Sequence, residues 1–426
     1  MESILRNSRQ DWIYIILSTM AGFFMVGLYF FLLDIVRLNP DLALLITLLI
    51  FTLFFDVRHL FSTYSRTFLD RSYLRENKSW LWVSFAAILL VPMVSYLVLI
   101  QGDFKAYNSS VILAFATRLT LILGFYHLVK QNWGFMAIYK KKFGEPEDGS
   151  DRWEKLLLLS GSFLPLAYIA KTTPVWFPGE VTALSPDPAQ LEYVISLWEK
   201  ISQFMLVAAL LFLLTGFVLK TKVQYKYVSR NLGFYFLGVF ILIRIILSDG
   251  PYTILNSIVA GLAILFVISA FISIRKAISF GRFNTGKWAV LITSLILYNG
   301  IILLPIENKA IIVMGITIPH NIQYLTFVNF FNSRQYAHSE KDHGFARKMS
   351  QKIGLFIVAS LVFAFFFELG RTGIRYLNLD MPVDDLYLLR NTVAIVFLSF
   401  VLHHYYLDAV IWRVRKDKDL SRTLDK

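Results

Sequence analysis

Apolar residues run along this chain in blocks of about twenty, divided by short polar stretches rich in Lys and Arg. The blocks fall at roughly 12–36, 41–62, 79–100, 108–129, 155–174, 190–219, 232–248, 252–274, 288–305, 310–332, 353–370 and 387–412. A hydrocarbon layer about 30 Å thick is crossed by about twenty residues of helix. Inside it every backbone N–H and C=O must pair internally, so only helices and closed barrels can span. These blocks are too long and too uniformly apolar for barrel strands. The pattern predicts an all-α polytopic membrane protein with about twelve transmembrane helices. No stretch reads as a soluble domain or a linker, so residues 1–426 read as one membrane domain.

Twelve spans place both termini on one side. Of the 42 Lys and Arg residues, 32 fall in the loops and tails of that side and about 6 on the other. Four more lie inside spans: Arg118, Lys200, Arg244 and Arg390. The bias is the positive-inside pattern, and it predicts cytoplasmic termini in a bacterial-type cytoplasmic membrane. Composition agrees, with 56 % apolar and 17 % charged residues, against about 25 % charged in ordinary globular domains. The net charge of +13 is then a topology signal and an attraction to anionic lipid, and it does not point to nucleic acid. There is no cysteine, which removes disulfides, thiolate metal sites and Cys nucleophiles.

The seven histidines are at 59, 127, 320, 338, 343, 403 and 404. Five of them sit in or at the edge of spans two, four, ten and twelve, and none falls in an odd-numbered span. His59, His127 and His404 lie at similar depths, near the cytoplasmic boundary. His320 comes earlier in its block, directly after Pro319 and five residues after Gly315. Proline removes a helix hydrogen bond, so this span is expected to be broken, with a fresh helix starting at His320.

Each histidine has polar company at helical spacing. Asp56, His59, Thr63, Arg66 and Asp70 are spaced 3, 4, 3 and 4 residues apart, which is one helix face. Gln131 follows His127 by four, Gln323 follows His320 by three, and Asp408 follows His404 by four. Arg66, Arg334 and Arg415 stand where three of these faces leave the membrane.

Ionisable groups inside a bilayer are costly and face a bundle interior or a water-filled cavity. Neutral imidazole is the commonest metal ligand, and a carboxylate or amide often orients it. The expected ligands are His59, His127, His320 and His404, with Asp56 and Asp408 as further ligands or orienting groups. Gln131, Gln323, Thr63 and His403 form the supporting layer. A nitrogen and oxygen donor set favours a divalent metal, iron first and zinc second. The reading is an integral membrane metalloenzyme, a non-haem iron oxidoreductase or a zinc hydrolase. Its substrate would be a membrane lipid or other apolar small molecule. Arg66, Arg334 and Arg415 would hold an anionic headgroup, and a redox partner would accompany iron chemistry.

Other readings stay open. Each histidine taken singly is also an ordinary interfacial residue, and His403 with Tyr405 and Tyr406 resembles an interface belt. A carrier or channel would use the same His and Asp residues for protons or ions. Paired histidines could also ligate haem for electron transfer. His338 and His343 read as solvated loop residues. No H-E-x-x-H, P-loop, nucleophile elbow or desaturase-type histidine box appears.

Overall fold

In the computed structural model the described residues are 3–99 apart from Arg6, 105–146, 150–172, 188–218, 251–337, 339–373 and 382–412, with Gly233 and Leu237. Among them there are helices and no strand. In chain order these are α1 (Ser8–Ile35), α2 (Pro40–Thr67), α3 (Arg71–Leu99), α4 (Lys105–Phe143), α5 (Ser150–Thr172) and α6 (Pro188–Val218). They are followed by α7 (Pro251–Ser279), α8 (Thr285–Ile302), α9 (Lys309–Ala337), α10 (Gly344–Gln351), α11 (Ile353–Gly373) and α12 (Val383–Ile411).

Among the described residues seven helices are long and apolar enough to cross a membrane: α1, α2, α7, α8, α9, α11 and α12. The blocks expected at 79–100, 108–129, 155–174 and 190–219 fall on α3 to α6, which are not among the seven. The block at 232–248 lies outside the described residues, Gly233 and Leu237 excepted. The chain divides into two compact units, residues 1–162 with 266–426, and residues 163–265. The histidine-bearing helices all belong to the first.

That unit exposes many large apolar side chains and buries many polar ones beside an apolar core. Phe24 is 79 % exposed and Phe366 is 64 % exposed. His59, Thr63, His320, Gln323, His404 and Asp408 are all buried. In a water-soluble protein this distribution would be reversed. It is the arrangement of a bundle whose solvent is hydrocarbon.

Helix starts follow local chemistry. Asn39 accepts from Leu42 N at 2.7 Å and Pro40 opens α2, since Pro lacks only an N–H that the first turn leaves unpaired anyway. Asn284 caps α8 in the same way, through Lys287 N. α12 packs along α4 and α3, α9 along α1, and α11 along α2.

The break expected before His320 does not occur. α9 runs continuously through Pro319. The proline ring would press on the carbonyl four residues back, and that residue is Gly315. Its carbonyl lies against Gly22 of α1, where a Cβ would collide with it. Two glycines thus let α1 and α9 meet backbone to backbone, which is how small residues work in membrane bundles. The helix continues because tertiary contact occupies the place left by the missing hydrogen bond.

Candidate metal centre

His59 is placed by an irregularity in α2. Residues Thr52–Asp56 form a π-helical turn, which loosens the regular hydrogen-bond ladder. The imidazole of His59 hydrogen-bonds to the Asp56 backbone. His59 Nε2 lies 3.0 Å from His320 Nε2, so the ring meets the carbonyl through Nδ1–H. That bond sets the tautomer and turns the Nε2 lone pair toward the neighbouring histidines.

His127 comes from α4. Its ring stacks on Tyr405 of α12, with centroids 4.8 Å apart and planes 29° apart. Gly124, three residues earlier, makes the stack fit. A Cβ there would sit 2.6 Å from the Tyr405 hydroxyl oxygen. His320 comes from α9 and His404 from α12. The rings of His59 and His404 meet edge to face at 4.3 Å, and those of His127 and His320 at 4.9 Å.

One nitrogen from each of these four histidines lies within 4.8 Å of the others, a group that could hold a metal ion. Two ligands 2.1 Å from a tetrahedral ion are about 3.4 Å apart, so small rotations bring the four nitrogens to coordination distance. Asp408, one turn beyond His404, adds a carboxylate. Its Oδ2 is 3.4 Å from His127 Nε2 and 3.6 Å from His404 Nε2. None of those three atoms has a hydrogen-bond partner, and all are buried. The other oxygen is fully engaged. Asp408 Oδ1 accepts from Thr63 Oγ1 at 2.8 Å and from Tyr324 OH at 2.6 Å. Trp412 Nε1 donates to the same Tyr324 oxygen at 3.1 Å. One carboxylate oxygen is thus fixed by two hydroxyls, while the other faces two imidazole nitrogens without bonding to either.

The remaining expected residues divide. Thr63 supports Asp408 directly. Gln131 sits beside the group and binds no imidazole: its Nε2 donates to the backbone His320 O at 3.2 Å and to the side-chain Gln323 Oε1 at 3.0 Å. Gln323 in turn donates to Ile15 O of α1 at 2.8 Å. These two amides tie α4, α9 and α1 together around the histidines. The side chain of Asp56 is not in the group. It lies beside Asn321, within electrostatic reach of Arg371 and Glu368. His403 points away, with Nδ1 3.0 Å from Tyr64 OH and Nε2 3.2 Å from Ser84 Oγ. Adjacent helical residues diverge by about 100°, and His404 takes the inward direction.

Arg66 is buried, with its guanidinium carbon 4.2 Å from the Phe331 ring centroid and 4.1 Å from that of Trp412. Arg334 is half-buried over Phe330. Arg415 lies outside the described residues, as does His338. His343, expected to be solvated, is buried. Its Nδ1 is 2.9 Å from both Asp70 oxygens and its Nε2 is 2.7 Å from Ser339 Oγ. Asp70 also accepts from Tyr336 OH and from Tyr73 N. The loop before α10 therefore folds back onto the start of α3.

Tyr324 and Trp412 are not among the residues expected at the site, and Tyr405 is expected only in an interface belt with His403 and Tyr406. Tyr324 stands four residues after His320 and Trp412 four after Asp408, so both share a face with a site residue. With 21 Tyr and 9 Trp in the chain, that spacing alone selects neither. No family model matches the chain, and no match is found among curated proteins or solved structures.

Proposed function

We propose that this protein is an integral membrane metalloenzyme whose centre is held by His59, His127, His320 and His404 with Asp408. The observation that carries the reading is the set of buried, unbonded donor atoms that face one another: His127 Nε2, His404 Nε2 and Asp408 Oδ2. An unsatisfied buried polar group costs about 1–3 kcal/mol. Three such groups converging on one point are poorly explained as packing. A cation among them satisfies all three, together with the paired nitrogens of His59 and His320.

The donors are four nitrogens and one oxygen, and the chain has no cysteine to add a thiolate. That chemistry suits a non-haem iron first and zinc second. Bound iron would supply oxidation with dioxygen and an electron donor, and zinc would supply an activated water. The chain's own part is orientation. The Asp56 carbonyl sets the His59 tautomer, Tyr405 sets the His127 plane, and Thr63 with Tyr324 aim Asp408. A haem reading finds no support in this geometry. The rings of His59 and His127 are 6.5 Å apart, and His320 and His404 occupy the space around them at 4.3–5.3 Å. A macrocycle would have to displace both.

The substrate in this reading is apolar or lipid-like and enters from the bilayer. In this reading both termini, and the end of each histidine helix nearest the centre, face the cytoplasm, which the charge bias of the loops supports. Elemental analysis of protein purified in detergent without chelators, with an absorption spectrum alongside, tests the proposal. One equivalent of iron or zinc without a Soret band is expected. His59→Ala, His127→Ala and His404→Ala should each lose it while the protein still folds. Metal-free wild-type protein that takes up neither ion would overturn the reading and favour a carrier in which these groups handle protons.

A further inference from the structure

Arg66 lies on the same face of α2 as His59 and Thr63, seven residues and about 10 Å along the axis from His59. It is only 4 % exposed. A buried guanidinium ordinarily has a carboxylate beside it, because an uncompensated buried charge is severely unfavourable. Among the described residues none forms an ion pair with it. Asp70, one turn further on, is the natural partner at i+4. Its two oxygens are already bound by His343 Nδ1, Tyr336 OH and Tyr73 N. Asp408 Oδ1 is committed to Thr63 and Tyr324, and its Oδ2 faces His127 and His404. Arg66 Nη1 is buried with no hydrogen-bond partner.

What does touch Arg66 is aromatic. Phe331 of α9 and Trp412, just past α12, meet edge to face with centroids 5.5 Å apart. The guanidinium fills the corner between them. Contact with ring faces uses its charge but none of its five N–H donors. Trp412 is also the residue that donates to Tyr324, and Tyr324 holds Asp408. The cation therefore stands at one end of a chain of contacts whose other end is the histidine group.

We infer that Arg66 is the receptor for an oxyanion, a carboxylate or phosphate, at the polar end of the substrate. Guanidinium binds both bidentately, which supplies the partner the protein withholds. The aromatic corner directs the apolar part of the substrate past Trp412 and Tyr324 toward the centre. The substrate class is then an amphiphile with a terminal anion, and its reacting carbon lies about 10 Å from that anion. Arg334 does not meet these conditions, being half-buried over a single ring. This inference rests on the metal-centre reading for where the reaction occurs, but not for the anion site itself.

The test measures binding of four probes to the full-length protein in a neutral detergent: dodecyl phosphate, dodecanoate, dodecanol and inorganic phosphate. Metal content is measured on the same samples. Both alkyl anions should bind more tightly than dodecanol. Arg66→Met should weaken them by about ten- to a hundredfold, the range for losing a charge-assisted hydrogen bond, and leave the metal in place. Arg66→Lys should recover part of the loss, which separates a charge requirement from simple disruption of packing. His59→Ala should lose metal and keep anion binding, so failure of the centre and failure of the anion site are read independently. Unchanged affinity in Arg66→Met, or equal affinity for dodecanol and the anions, overturns the inference. Inorganic phosphate binding as tightly as dodecyl phosphate would assign the site to a free anion and overturn the substrate class.

Discussion

Replacing Asp408 with Asn changes one atom and should move two properties in opposite directions. The amide oxygen can take the place of Oδ1, where Thr63 and Tyr324 donate at 2.8 and 2.6 Å. The NH2 group then stands where Oδ2 stood, 3.4 Å from His127 Nε2 and 3.6 Å from His404 Nε2. In the metal-free protein a lone pair on either imidazole accepts that N–H. Two unsatisfied buried atoms become one hydrogen bond, and a buried negative charge disappears. At about 1–3 kcal/mol for an unsatisfied group, the metal-free variant should be more stable than wild type by an amount of that order. Metal binding should suffer. The site loses its only anionic donor, and perturbing a group that supports or completes a metal site typically costs 10–100-fold in affinity, about 1.4–2.7 kcal/mol.

The assay pairs thermal unfolding of the metal-free proteins in detergent with competitive metal titration. A rise in the unfolding midpoint together with weaker metal binding is the expected result. The rival account makes Asp408 the counterion of a protonated His127 or His404 in a purely structural ion pair. There, neutralising the carboxylate strands a buried positive charge, and the loss is about 3–5 kcal/mol. A strongly destabilised metal-free variant, with metal affinity equal to wild type, would refute the reasoning.

Three other substitutions probe the surroundings. Gly124→Ala places a Cβ 2.6 Å from the Tyr405 hydroxyl, so the stack on His127 must shift; thermal unfolding should show a loss of about 1–3 kcal/mol, as for other overpacked sites. His403→Ala removes the hydrogen bonds to Tyr64 and Ser84 and should lower stability while leaving metal content at the wild-type value, measured by elemental analysis. His343→Ala removes the group lying 2.9 Å from both Asp70 oxygens. It should cost about 1–3 kcal/mol and raise proteolysis in the 338–343 loop, again with metal content unchanged.

The four histidines were legible because two weak signals coincide: all fall in even-numbered apolar blocks, and three of them, His59, His127 and His404, stand at like depth, with His320 set apart earlier in its block. Neither signal depends on tertiary detail, since a helix rises uniformly and a bundle aligns its members. The supporting groups were legible only as far as helix regularity held. Thr63 and Asp408 stand on regular turns, and both are where spacing puts them. Asp56 stands at the end of a π-helical turn. One extra residue in that turn rotates what precedes it relative to the face that His59 defines, so the carboxylate goes to Asn321 while the backbone serves the imidazole. Spacing rules assume 3.6 residues per turn and cannot register such a step.

Burial is the other place where local reasoning gave way, and it failed twice for one physical reason. Arg66 and His343 carry charge or polarity near the end of a hydrophobic run, where the general expectation is solvent or headgroups. Both are buried, because α9, α10 and α12 close over that end. His343 is satisfied internally by Asp70 and Ser339, and its burial needs nothing more. Arg66 is not satisfied internally. The two residues are a matched pair of buried polar groups in one region of the bundle, and among the described residues only His343 has a hydrogen-bonding partner. Asp70 accepts from three donors, whereas among the described residues Arg66 Nη1 finds no acceptor. That asymmetry is the reason for reading His343 as a structural lock and for proposing Arg66, not His343, as the binding position.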